Sequence, residues 1–212
     1  IIGIFCMTVF VIINRYNSSI YGNEGYLTNT LPLKPSQIIW AKLINFLIWI
    51  FISYFVIFVS MFILFPFEFF IRNIIKDTEF YQDLNTMVKE FFSSKYIFMS
   101  ILQLIYNFFA HVQSILIIFL SIAIANLFKS YKVVVGVIAF FIISIIFSFI
   151  GASVTYSTIS NLDVPVIYGD ADPTIFLSLR NGTITSILYS LISSVLLFFG
   201  VHYLHTHNLN LE

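Results

Sequence analysis

Four stretches of the chain, residues 43–65, 97–128, 133–154 and 184–204, each run for at least 21 residues with no Asp, Glu, Lys or Arg. At a rise of 1.5 Å per residue, ~20 helical residues cross a ~30 Å hydrocarbon layer, so each stretch is long enough to span a bilayer. Lipid offers the backbone no hydrogen-bonding partner, and the spans show no strand-like alternation, so they are helices and not barrel strands. The composition agrees: 59% of residues are apolar, 19% aromatic and 9% charged. The expected fold is all-α, a polytopic transmembrane helical bundle forming one domain over residues 1–212.

Residues 1–13 are also apolar but stop at Asn14-Arg15, too short to cross by themselves. They read as the end of a span whose start lies upstream, and they have neither the basic leader nor the small-residue cleavage site of a signal peptide. Five spans are therefore visible. Ten basic and ten acidic residues leave a formal net charge of zero, which gives no electrostatic footprint for nucleic acid. The single Cys6 lies in an apolar run and reads as a small buried hydrophobe, without redox chemistry.

Orientation follows from the connector between the spans at 97–128 and 133–154. It is the shortest loop and holds Lys129 and Lys132, and short basic loops favour the cytoplasmic side. That places 14–42 and the C-terminus in the cytoplasm and the segments 66–96 and 155–183 outside, in a cell-membrane, multi-pass protein. Within 66–96, Phe70, Ile74, Ile75, Phe80, Leu84, Met87, Val88 and Phe91 recur near a 3.6-residue period between charges, predicting amphipathic helices on the outer surface. The second outer segment holds Asp163, Asp170 and Asp172, which read as turn residues.

No phosphate-binding loop is present, so any ATP is held by another chain. His202, His205 and His207 have helix-face spacing, but no Cys and no acid other than Glu212 stands near them to complete a metal site, and no metal or other cofactor is expected. Deep inside the spans only His111 is ionisable, too little for intramembrane catalysis, and the chain is not read as an enzyme. The span at 97–128 does carry one polar face: Gln103, Asn107, His111, Ser114, Ser121 and Ala125 fall within an arc of about 80°. Polar groups in lipid must meet protein or water, so this stripe either packs against another helix or lines a path, with Gln103, Asn107, His111 and Ser114 as its lining. Ser186, Ser190, Ser193 and Gly200 make a second narrow face, suited to close helix packing.

Between the first two spans lies a polar, turn-rich segment. Its residues Glu24-Gly25-Tyr26-Leu27-Thr28 and Thr30-Leu31-Pro32, followed by Ile38 and Ala41-Lys42-Leu43, resemble the loop after the second membrane helix of type-two ABC transporter permeases of Gram-positive bacteria. Ala123-Ile124-Ala125-Asn126-Leu127-Phe128-Lys129, Lys132 to Gly136 and the terminal Leu209-Asn210-Leu211-Glu212 are similar to the same family, and Ala41 stands where a Ser is frequent. The resemblance implies six helices in the intact protein. It also implies a cytoplasmic coupling helix in which Glu24, Gly25, Tyr26, Leu27, Thr28, Leu31 and Pro32 dock into a separate ABC ATPase subunit. The partners expected on this basis are that ATPase, a second permease half in a homo- or heterodimer, and the lipid bilayer. The implied function is ATP-driven export of a peptide, lipid or amphipathic compound by alternating access. The alternative is an ATP-independent sensor or immunity protein that binds a peptide antibiotic.

Overall fold

A computed structural model describes residues 2–21, 33–72, 89, 93–128, 130–160 and 173–207. Five long helices run through the described residues: α1 (Ile2–Ile20), α2 (Pro35–Arg72), α3 (Ser94–Ala125), α4 (Lys132–Ser160) and α5 (Pro173–His207). Four of them, α2 to α5, are long and apolar enough to cross a membrane. The expected all-α transmembrane character is therefore present, while the segments 22–32, 73–88, 90–92 and 161–172 lie outside the described residues. Those segments hold the whole expected coupling helix, most of the outer amphipathic pattern and the three loop aspartates.

Several boundaries differ from the sequence reading. Asn14-Arg15 does not end α1, which continues to Ile20 because its last turns bury Tyr16, Ser19 and Ile20 against the bundle and contain no Gly or Pro. Pro66 does not end α2 either; the helix passes through it to Arg72, as membrane helices tolerate where neighbouring groups take up the freed carbonyl. α4 continues beyond 154 to Ser160, and α5 begins at Pro173 instead of 184. Pro35 and Pro173 each occupy a first helical position, where the missing N–H is no loss and the fixed φ suits the helix. At the start of α2, Gln37 Oε1 reaches back 3.0 Å to accept from the backbone N–H of Lys34, one half of a capping box.

The core sits at one end of the bundle. Tyr16 and Ile20 of α1, Ile39, Leu43 and Phe46 of α2, Ile115, Leu116 and Phe119 of α3, and Leu197 and Val201 of α5 are all buried there. Phe119 lies at its centre, stacked on Tyr16 at 3.8 Å between ring centroids and edge-on to Phe46 at 5.6 Å. Close approach depends on small residues. A Cβ on Gly136 would stand 3.1 Å from the Ala125 Cβ, and one on Gly151 would stand 2.7 Å from the Tyr189 ring, whose hydroxyl donates to the Phe147 carbonyl. Among the described side chains of α4 no apolar one is fully buried, which suits a helix facing lipid.

Candidate functional site: an intramembrane polar face

The polar stripe of α3 divides into two halves with different surroundings. Toward the core end, Ser121 and Ala125 are buried and Ala125 meets Gly136 of α4. Ser121 Oγ donates 2.8 Å to the Ile118 carbonyl of its own helix, so the hydroxyl is satisfied locally and the residue acts as a small packing unit. The serine face of α5 behaves alike: Ser190 and Ser193 are buried and donate to the Ile187 and Ser190 carbonyls, and Gly200 receives Leu120 of α3 at 3.5 Å from its Cβ position. For these residues packing is the role that the geometry assigns.

Toward the other end the stripe opens. Gln103, Asn107 and Ser114 are exposed and His111 is half-buried. Gln103 Nε2 donates to Asn107 Oδ1 at 3.5 Å, and Ser114 Oγ donates to the Ala110 carbonyl at 2.8 Å. His111 Nε2 lies 2.8 Å from the Tyr54 hydroxyl of α2, with the ring centroids 5.3 Å apart. With the imidazole proton on Nδ1 the tyrosine donates; with it on Nε2 the tyrosine accepts. Phe51 and Phe108 make a second contact between the same helices at 6.5 Å.

Depth makes this polar group unusual. His111 is fourteen residues, about 21 Å along the axis, from the end of α3 at Ala125, and it falls at the middle of the apolar window Tyr96–Ala125. Exposed Asn107, one turn from His111, and Gln103, seven residues inside the window, are costly against lipid, so the face must meet a wet path or another protein surface. The structure places Gln103, Asn107, His111 and Ser114 along one face of α3, with Gln103 bonded to Asn107 and Ser114 turned onto its own backbone. It adds Tyr54, which sequence spacing could not supply because its contact with His111 is made across 57 positions.

The C-terminal histidines do not converge. His205 is buried, whereas His207 stacks on Tyr203 at 4.5 Å between centroids, and among the described residues no three His, Cys, Asp or Glu form a metal-sized group. No family model, curated protein or solved structure matches the chain.

Proposed function

We propose that this chain is the membrane-spanning permease subunit of an ATP-driven transporter, one of two halves enclosing a shared path for a peptide, lipid or amphipathic compound. The observation that carries the reading is the open polar face of Gln103, Asn107 and His111 in the middle of an apolar span. A second permease half facing it would both satisfy these groups and complete a path. The packed end around Phe119 suits a pivot, because movement in alternating access is rigid-body rocking of packed elements around a site. The energy would enter through Glu24, Gly25, Tyr26, Leu27, Thr28, Leu31 and Pro32, which resemble an ATPase-docking segment and join the buried start of α2 to α1.

The test is affinity purification of the full-length protein from its native membrane, as the parent and as Leu27→Asp, with mass spectrometry of the co-purifying proteins. An ABC ATPase recovered with the parent and lost from a folded Leu27→Asp protein supports the proposal. No ATPase with either protein would sink it and favour a stand-alone peptide-binding sensor or immunity protein.

A further inference from the structure

At the core end, α1, α3 and α4 enclose a partly open cavity of about 410 Å³, within the ~300–1,000 Å³ of small-molecule sites. Its polarity is graded along the helices. The rim carries Asn14 and Asn17 of α1, Asn126 at the end of α3 and Lys132 at the start of α4. Asn126 Nδ2 donates to Asn17 Oδ1 at 3.3 Å and to the Ile122 carbonyl at 2.9 Å, which holds these two rim amides together. Deeper, the walls are Phe10, Ile118, Ile122, Val137 and Phe140. From Asn126 to Ile118 is eight residues, about 12 Å along α3.

We infer that this cavity is a binding site for one anionic phospholipid. Its rim has one cation and three amides and no acid, which complements a phosphate-bearing headgroup. Its apolar walls run about 12 Å toward the bilayer centre, matching the start of an acyl chain. The rim also stands where a headgroup layer belongs, since α3 ends at Ala125 and α4 starts at Lys132 as they leave the apolar zone. Basic pockets between membrane helices at this level bind lipid headgroups for the same reasons. Neither membrane orientation nor the transporter reading enters this assignment.

The experiment is native mass spectrometry of the full-length protein released from nanodiscs that contain equal amounts of phosphatidylglycerol and phosphatidylcholine with identical acyl chains. The parent should retain one phosphatidylglycerol per chain, preferred over phosphatidylcholine. Lys132→Gln should reduce that preference by about fivefold, the effect of one lysine at an anionic surface. Val137→Trp, which fills the cavity, should remove the retained lipid of both kinds. Lys34→Ala, which deletes a cation that does not line the cavity, should leave the preference unchanged. Equal retention of the two lipids by the parent, or an unchanged preference in Lys132→Gln, would overturn the inference, and the conservative glutamine variant decides this even if Val137→Trp does not fold. If Val137→Trp instead abolishes a dimer and leaves lipid retention intact, the cavity is a face between copies and the lipid assignment falls.

Discussion

Truncating Phe119 separates what holds a membrane bundle together from what holds a soluble one. In water a buried Phe→Ala change costs ~3–5 kcal/mol, as the sum of a transfer term and a cavity term. Between lipid-solvated helices the transfer term largely vanishes, because lipid tails are as apolar as the core, and packing remains. Phe119 is fully buried and makes two ring contacts, stacked on Tyr16 and edge-on to Phe46. Two such pairs contribute ~1–3 kcal/mol beyond area, so the loss expected for Phe119→Ala is about 2–4 kcal/mol once a partly collapsed cavity adds ~1 kcal/mol. Phe149 on α4 is 75% exposed, and Phe149→Ala should cost under about 0.5 kcal/mol because lipid replaces its contacts. Both variants are to be compared with the parent by unfolding in mixed micelles, followed by circular dichroism. Equal losses for the two would refute the placement of the core, and a loss of ~5 kcal/mol at Phe119 would refute the argument that transfer drops out.

Three further outcomes follow from particular contacts. In a double-mutant cycle with Tyr54→Phe and His111→Ala, the coupling should be about 0.6–1.5 kcal/mol, the range of hydrogen bonds between membrane helices; zero coupling in the micelle assay would mean that the 2.8 Å contact does not tie α2 to α3. Gly151→Val should destabilise the protein by about 2 kcal/mol, an overpacking cost, because even a Cβ would lie 2.7 Å from the Tyr189 ring; stability equal to the parent would show that α4 and α5 do not approach this closely. Tyr131 holds φ at 59° at the turn into α4, and Tyr131→Asn should raise stability by about 1 kcal/mol, since Asn tolerates this region far better; no change in the unfolding midpoint would argue against the turn.

The spans were legible in the sequence because uninterrupted apolarity is a one-dimensional signal, and the four complete ones correspond to α2 to α5. Their ends were less legible. The polar pair Asn14 and Arg15 suggested an exit from the membrane, yet nothing in it breaks a helix, and burial of Tyr16 and Ile20 carries α1 further. The polar face of α3 was visible as an arc, but its division into a packed half and an open half was not. That division depends on which helix lies opposite each turn: Gly136 stands against Ala125, whereas Tyr54 of α2 reaches His111. The same limit applies to the serines of α5, whose hydroxyls turn back onto their own backbone, so that residues polar by type are small by function.

The two halves of α3 impose different mechanical behaviour on one helix. At the core end, residues 115–119 are buried on every side, so this segment cannot rotate without breaking the Tyr16 and Phe46 contacts together. At the other end, Gln103, Asn107 and Ser114 have exposed side chains, and α2 reaches the helix through the Tyr54–His111 and Phe51–Phe108 contacts. A hydrogen bond of order 1 kcal/mol is weak enough to break and remake at thermal energies, whereas the Phe119 cluster is not. Any rearrangement that widens the polar face should therefore pivot near Phe119 and separate Tyr54 from His111. In the proposed transporter this makes the pair a reporter of the outer end: a short bis-maleimide cross-link between cysteines placed at positions 54 and 111, whose native side chains meet only at their tips, should hold α2 against α3 and stop transport, while ATPase binding through Leu27 persists. Transport at the parent rate with the cross-link fully formed would show that α2 and α3 do not part during the cycle.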